Sequence, residues 1–334
     1  DLNGIAWSGN VFCAVGDAMT VTTWTERAPL VAKNIALNGV ANNGGLFVAV
    51  GNSDGSDAYL VTAPAGAAWT ERGNPLNAAL LSVVWAAGLG VFCATGAHAT
   101  AGFSSWYPYI LTSPDGVSWT SHVTVSVLKF NGGGMYGVAW NDAIFCAVGG
   151  STDAAPQSYN HIMTSPDGIS WTVQRDAVGN YLRTVVWSPG IGLFVAAGDG
   201  NGAAALLFTS PDGAIWTARG NPLNVRINAI AWSSDKNLFI AVGAADGTDA
   251  YILTSADGVT WTERSNPKNF ALYSIVWTGK QFLACGAADG ADAYLITSLD
   301  GITWVERTNP KNFALNGAAW DGTRYVLVGA ADGT

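Results

Sequence analysis

The chain is poor in the residues that most catalytic and metal sites require. Only 12% of its 334 residues are charged, and it has four glutamates, three histidines and four cysteines. All four glutamates fall in a repeated WTER or WVER segment, which leaves none for acid/base chemistry at a unique position: Glu26, Glu71, Glu263 and Glu306. The histidines (His98, His122, His161) follow no metal-ligand spacing. We therefore expect a protein that is not an enzyme.

Long hydrophobic runs and an excess of positive charge are also missing. The apolar stretches are as short as strands and are broken by glycine, so we expect no insertion into a membrane. The net charge of -9 makes a nucleic-acid backbone a poor partner. Cys13, Cys93 and Cys146 occupy equivalent places in different repeats, and Cys285 is displaced by two residues. Such positions are too far apart for disulfides, so buried thiols are expected.

Tryptophan, in contrast, is abundant and regularly spaced. One set ends apolar stretches such as AIAW and comprises Trp7, Trp85, Trp140, Trp187, Trp232, Trp277 and Trp320. A second set follows turns such as SPDGVSW and comprises Trp24, Trp69, Trp119, Trp171, Trp216, Trp261 and Trp304. The period of about 45 residues indicates a repeat architecture. Because these tryptophans recur at identical positions, we expect them in the core.

Each repeat contains four short runs rich in β-branched and aromatic residues, separated by turn residues, which is typical of a propeller blade. The sequence predicts an all-β, single-domain β-propeller over residues 1–334, built of four-stranded blades. Eight blades are favoured, with the first and last abbreviated, and a seven-bladed ring with the ends merged into one blade is the alternative. The repeats span approximately 1–27, 34–72, 81–121, 136–174, 183–219, 228–264, 273–307 and, as a half repeat, 316–334.

The turn before the second tryptophan has a clear chemistry. In Ser113-Pro114-Asp115-Gly116, Pro, Asp and Gly suit a type I turn with a G1 bulge, which predicts a three-residue hairpin loop. This S/T-x-D-G-x-x-W element resembles the Asp-box, or BNR, repeat of sialidase-like propellers, with one residue fewer between Asp and Gly. The whole repeat is more similar to those of phage tail or fibre proteins and bacterial surface proteins. That resemblance implies a tandem-repeat propeller with a surface role.

Two features of the loops between second and third strands are candidate binding sites. The first is a repeated Asp-Gly-x-Asp-Ala-Tyr motif, whose carboxylates suit Ca²⁺ or sugar hydroxyls or else form solvated Asx-type turns. Its candidate residues are Asp54, Asp57, Tyr59, Asp246, Asp249, Tyr251, Asp289, Asp292 and Tyr294. The second is the long segment 97–108, with His98, Trp106 and Tyr107, which either contacts a partner or covers a blade edge.

These observations favour a non-enzymatic binding or structural module at a cell or virion surface, which recognises a glycan or a protein partner either alone or as part of a larger assembly. One alternative is a glycoside hydrolase or lyase with its site in the central channel, for which non-repeated aspartates should cluster: Asp142, Asp153, Asp176 and Asp199. Another is a purely structural subunit of a filament or particle. No catalytic residue and no required cofactor is expected.

Overall fold

The computed structural model describes residues 33–64, 67–99, 106–122, 133–152, 157–200, 202, 205–309 and 312–331, together with the backbones of three N-terminal strands at 6–7, 11–15 and 25–27. Throughout these residues the secondary structure is β, with no helix that could cross a membrane. The strands are short and run antiparallel within each repeat, as the alternation of β-rich runs and turn residues predicts.

Six contiguous segments each form one four-stranded sheet, which we number as blades one to six. Blade one contains β4 (Leu37–Asn42), β5 (Leu46–Ser53), β6 (Ala58–Pro64) and β7 (Thr70–Glu71). Blade two contains β8 (Ala79–Ala86), β9 (Val91–Ala99), β10 (Trp106–Ser113) and β11 (Thr120–Ser121). Blade three contains β12 (Gly133–Trp140), β13 (Phe145–Thr152), β14 (Ser158–Ser165) and β15 (Thr172–Val178).

Blades four to six repeat this order from the channel outward. Blade four contains β16 (Leu182–Ser188), β17 (Leu193–Gly200), β18 (Ala205–Ser210) and β19 (Thr217–Ala218). Blade five contains β20 (Ile227–Ser233), β21 (Leu238–Ala245), β22 (Ala250–Ser255) and β23 (Thr262–Glu263). Blade six contains β24 (Leu272–Trp277), β25 (Phe282–Ala288), β26 (Ala293–Ser298) and β27 (Val305–Glu306).

A further sheet of five strands, here called the closing sheet, joins the two ends of the chain. Its strands are β1 (Ala6–Trp7), β2 (Val11–Val15), β3 (Thr25–Arg27), β28 (Leu315–Trp320) and β29 (Arg324–Gly329). They are ordered β28-β29-β2-β3-β1, with β29 and β2 antiparallel. β28 contacts the inner strands of blades six and one, so the closing sheet completes the ring.

The expectation of eight blades is therefore wrong. The first and last repeats do not form separate blades, because β29 of the half repeat pairs with β2 along five residues. Nor are there seven four-stranded blades, since six sheets have four strands and the closing sheet has five, with β1 added in parallel to β3. Sharing the strands of two incomplete repeats satisfies edges that would otherwise remain open.

The core lies between neighbouring blades. Second and third strands are buried along nearly their whole length because a blade covers each of their faces. In blade five, the Phe239 ring lies between Trp232 at 4.5 Å and Trp261 at 6.1 Å, and the other described blades repeat most of this arrangement. Trp261 is buried and Trp232 is partly buried, so the expected core role of both tryptophan sets holds there. Each aromatic ring that is buried removes about 150–250 Å² from water.

The Asp-Gly turns differ from the hairpin that the sequence predicts. Strand pairing ends at Thr112 and Thr120, so the loop is longer than three residues. Asp115 Oδ1 accepts hydrogen bonds from the Val117 and Ser118 amides, both at 2.8 Å. These amides lower the pKa of Asp115. Gly116 has φ +71° and its carbonyl accepts from the Trp119 indole at 3.0 Å, so the turn fixes the tryptophan.

The cysteines behave as the repeat predicts wherever their side chains are described. Cys93, Cys146 and Cys285 are free and fully buried. Burial raises the pKa of each thiol, so these cysteines stay protonated at neutral pH. The side chain of Cys13 lies outside the described residues.

Candidate functional site

One face of the ring, here called the loop face, gathers the candidate residues. Each inner strand starts there, and second strands end and third strands start at the same edge. The connections between blades also reach this face, whereas the Asp-Gly turns lie on the opposite face, here called the turn face. The Asp-Gly-x-Asp loops and the mouth of the central channel therefore share one surface.

The first Asp of each Asp-Gly-x-Asp motif folds its own loop. Asp54 Oδ1 accepts from the Ser56 amide at 2.7 Å and from the Asp57 amide at 3.0 Å, which is an Asx-type turn. The second Asp fastens the next connection, because Asp57 Oδ2 accepts from the Asn74 amide at 3.2 Å. The motifs of blades five and six repeat both contacts. Of the two interpretations, the structural turn describes these hydrogen bonds.

The tyrosine of the motif joins neighbouring blades. Tyr294 of blade six donates to Asn266 Oδ1 of blade five at 2.6 Å and accepts from the Lys268 amide at 3.1 Å. Tyr251 makes the same pair of bonds to Asn221 and Leu223. Tyr59, Tyr251 and Tyr294 are at most 1% exposed. The three rings are buried in the blade interfaces, and the hypothesis that they contact a ligand remains a prediction.

In blades one and six, a lysine ammonium group pairs with the carboxylates of the acidic loop. Asp289, Asp292 and Glu306 each place one oxygen within 4.8 Å of the others, as do Asp54, Asp57 and Glu71, a spacing that could hold a metal ion. The Lys268 ammonium, however, contacts Asp289 at 2.5 Å and also Glu306. Lys33 bridges Asp54 and Glu71 in the same way. The lysine lowers the pKa of Asp289, and likewise that of Asp54, to about 2.

Blade five has the same acids but a leucine at the lysine position. The Leu223 amide donates to Tyr251 as the Lys268 amide does to Tyr294, so the two residues are equivalent. Without an ammonium, burial and then the charges of Asp246 and Asp249 raise the pKa of Glu263. Burial also raises the pKa of Asp249.

His98, Trp106 and Tyr107 do not form the loop that the sequence predicts. His98 lies on β9, and Trp106 and Tyr107 begin β10, where Tyr107 pairs with His98 and Trp106 pairs with Ala99. The His98 ring lies 6.2 Å from that of Tyr109. Trp106 is described only by its backbone, and its side chain lies outside the described residues. The contact hypothesis for these three residues remains a prediction.

The non-repeated aspartates each have a separate setting. Asp142 lies in the β12–β13 turn on the turn face, with φ +70°. Asp176 lies 3.2 Å from His161 Nδ1, and Asp199 accepts two hydrogen bonds from Arg183. Asp153 lies outside the described residues. The three described aspartates thus have different surroundings, rather than shared partners as a glycosidase carboxylate pair would.

Blade three brings together a buried serine, a buried histidine and an exposed aspartate, which the sequence pattern did not indicate. Ser151 Oγ lies 2.7 Å from His161 Nε2, and Asp176 lies on the other side of the ring. Burial lowers the pKa of His161 to about 4, against the opposing effect of Asp176. Ser151 is 2% exposed and His161 is 3% exposed. The three residues lie on three different strands at unequal sequence separations, which match no catalytic motif.

The channel mouth is where the ring departs most from its own symmetry. Every inner strand has a β-bulge near its start. The bulged residues are Asn38, Leu81, Tyr136, Arg183, Asn228, Tyr273 and Asn316. The asparagines donate to the next inner strand, as in Asn228 to the Leu272 carbonyl at 2.7 Å. Bulges re-aim side chains near functional sites, and all but Tyr273 line the channel.

The bulged residues of blades two to four depart from asparagine, and two of them, Tyr136 and Arg183, form an aromatic cluster with Tyr181. The Arg183 guanidinium lies 4.5 Å from the Tyr136 ring centre and 5.1 Å from that of Tyr181. The two rings are stacked at 5.9 Å with 18° between their planes. Asp199 binds Arg183 through Nε at 3.0 Å and Nη2 at 2.8 Å. Aligning the residue that follows the first buried Leu, Ile or Met of each inner strand would have shown Tyr136 and Arg183 in place of asparagine.

Solved structures resemble the chain in fold. A chain from the crystal structure of a nidogen/laminin complex aligns with a TM-score of 0.55 and 13% identity, covering 82% of this chain and 97% of that one. TolB from Acinetobacter baumannii aligns with a TM-score of 0.51 and 10% identity, covering 86% of this chain and 64% of TolB. No protein-family description matches the sequence, and no curated protein matches it. At these identities the likeness shows the β-propeller fold alone.

Proposed function

We propose that this β-propeller is a non-enzymatic binding module of a cell or virion surface, and that it contacts its glycan or protein partner with the loop face. The observation that carries the proposal is the uneven channel mouth. Repeated residues on this face form turns, blade contacts and lysine pairs, whereas Tyr181 and Arg183 are unique at their repeat positions and Tyr136 is matched only by Tyr273. The asparagines at the equivalent positions hydrogen-bond to the next inner strand. Replacing them would bring no advantage to a ring selected for stability alone.

The comparisons support a binding role in a limited way. The nidogen/laminin neighbour was solved as a complex of two proteins, so a ring of this shape is compatible with binding another macromolecule. The acidic net charge of -9 favours a partner without a high density of negative charge. The resemblance to phage fibre and bacterial surface repeats supports an extracellular or virion setting.

The test is to apply the labelled chain to a glycan array and to intact cells, in millimolar calcium and in chelator. Loss of cell binding after glycosidase treatment identifies a glycan, and loss after protease treatment identifies a protein. Ile215→Ser is a matched control, because Ile215 is 73% exposed on the turn face and should not affect binding. Loss of binding in Ile215→Ser, or no binding of the parent chain to the array or to cells, would contradict the proposal.

A second candidate is an acyl hydrolase that uses Ser151 as nucleophile, His161 as base and Asp176 to orient it. The 2.7 Å contact between Ser151 Oγ and His161 Nε2 favours it. The burial of Ser151 opposes it, since substrate must reach Oγ. Labelling by a fluorophosphonate that disappears in Ser151→Ala, together with turnover of an activated ester, would establish this candidate.

A structural role is the third candidate, because the turn face exposes aliphatic side chains in several blades. They include Val117, Ile169, Ile215, Val259, Leu299 and Ile302. Stacking of copies through this face would bury them. Mass measurement in solution across a hundredfold concentration range tests it, and a strict monomer would exclude it.

A further inference from the structure

A cavity of about 420 Å³ opens beside the aromatic cluster on the loop face. Its walls come from blades two, three and the start of blade four, and are formed by Ala79, Leu81, Ala97, Tyr136, Thr152 and Tyr181. Leu81 and Tyr136 also line the central channel, so the cavity adjoins the channel mouth. This volume lies within the range of small-ligand sites, about 300–1,000 Å³.

The walls formed by the described residues combine apolar surface with hydroxyl groups and carry no ionised group. Leu81 and the alanines are apolar, and the tyrosine rings add flat apolar faces that end in hydroxyls. Burial raises the pKa of Tyr136, which keeps its hydroxyl protonated. The nearby Arg183 is compensated by Asp199 through two hydrogen bonds. A charged ligand would therefore find no unpaired opposite charge in the described lining.

The aromatic walls are held in place by packing. A Cβ at Gly150 would lie 2.4 Å from Tyr181 Cδ1 and 2.8 Å from Cγ, so the ring rests directly on this glycine. Arg183 also contacts both rings, and Asp199 holds its guanidinium in this position. A site whose rings are ordered before the ligand arrives loses little conformational entropy on binding.

We propose that this cavity binds one neutral pyranose unit of a glycan, an inference that rests on the proposed binding function and names its ligand class. A pyranose presents apolar C–H faces and a rim of hydroxyls, which match ring faces and tyrosine or threonine hydroxyls. Its neutrality matches a lining without unpaired charge. The uncharged ring thereby distinguishes this ligand from sialylated, sulfated or uronic acid units.

The experiment measures binding of the full chain to arrayed neutral oligosaccharides and to their sialylated or sulfated counterparts, followed by titration of the neutral glycan that binds best. Tyr181→Ala and Tyr136→Ala should each weaken that binding about 3- to 10-fold, the range expected for losing one aromatic contact. Gly150→Ala should weaken it too by displacing the Tyr181 ring. Tyr273→Ala is the matched control, because Tyr273 is the bulged residue of blade six and lies outside the cavity.

Thermal unfolding of each variant checks its fold, and Tyr181→Phe, which retains the ring, should keep most of the affinity. Neutral-glycan binding that survives both tyrosine-to-alanine changes overturns the cavity assignment and leaves the proposed function intact. Binding restricted to acidic glycans overturns the neutral ligand class. No glycan binding by a chain that still binds protease-sensitive cell surfaces overturns the saccharide inference alone, whereas no binding to any surface overturns both.

Discussion

Replacing Lys268 with methionine tests whether the acidic loops are held by an internal cation. Lys268→Met keeps the apolar stem and removes the ammonium that contacts Asp289 and Glu306. The lysine lowers the pKa of Asp289 from 3.8 to about 2. This lowering of the Asp289 pKa corresponds to an upper bound of about 2.4 kcal/mol in folding stability. Because the Lys268 side chain is 36% exposed, solvent screening reduces the expected loss to about 1 kcal/mol.

The pH dependence has a definite sign. A carboxylate with a lowered pKa in the folded state stabilises the fold above its unfolded pKa and loses this effect as the pH falls towards the folded pKa. The stability difference between the parent and Lys268→Met should therefore be full at pH 6–7, and about half of it should remain at pH 3. The decline should begin near pH 5, where the aspartate of the unfolded chain starts to bind protons.

The assay is thermal and urea unfolding of both proteins from pH 3 to 7. With an unfolding entropy of about 2.1 cal/mol/K per residue, a loss of 1 kcal/mol lowers Tm by roughly 1.5 °C. Lys236→Met, an exposed turn residue on the turn face, is the control and should leave Tm unchanged. A Tm difference that is absent at pH 7, or that does not shrink with acid, would refute the charge-pairing account.

Three further changes test the scaffold. Leu223→Lys should pair with the acids of blade five, lower the raised pKa of Glu263 and stabilise the fold by about 0.2–1 kcal/mol, measured by Tm at pH 7; unchanged stability would argue against equivalence with Lys268. Tyr294→Phe removes both interblade hydrogen bonds and should lower the free energy of unfolding, measured in urea, by about 1–3 kcal/mol. Tyr159→Phe removes one contact of 3.4 Å and should lower it by less than about 0.5 kcal/mol. Gly258 has φ +71°, and a Cβ added there would lie 3.0 Å from Leu193 Cδ2, whereas a Cβ at Gly192, with φ +64°, would meet no atom within 4 Å. Gly258→Ala should therefore lower Tm more than Gly192→Ala. Equal decreases would show that backbone strain alone, without the steric contact, is the cause.

The blades were predictable because their determinants are local and repeated. Turn residues, β-rich runs and the tryptophan spacing specify each four-stranded sheet without knowledge of distant contacts. The joining of β2 to β29 was harder to predict, because it pairs residues from opposite ends of the chain. The local sequence pattern does not indicate whether an incomplete repeat forms its own blade or combines with a second incomplete repeat in one sheet.

The structure of the acidic loops could be predicted only in part. The Asx-type turn followed from Asp-Gly chemistry, but the lysine contact depends on residues 21 positions apart in separate connections. That spacing recurs between Lys33 and Asp54 and between Lys268 and Asp289, so comparison of the repeats could have found it. The burial of the motif tyrosines was not predictable, because their hydroxyl groups bind residues of the neighbouring blade that lie 26 to 28 positions away in the sequence.

The irregular side of the ring is built to be rigid, which argues for a function there. β15 of blade three runs over seven residues, Thr172–Val178, where the outer strands of the other five blades have two. Its added length pairs with the loop-face end of β14, and Arg175 donates to Asn160 at 2.6 Å there. Extra hydrogen bonds thus hold the wall next to Gly150 and Tyr181. If the sequence of blade three differed from the repeat only because selection on it was relaxed, we would expect fewer stabilising contacts at this edge. The longer β15 instead adds hydrogen bonds there.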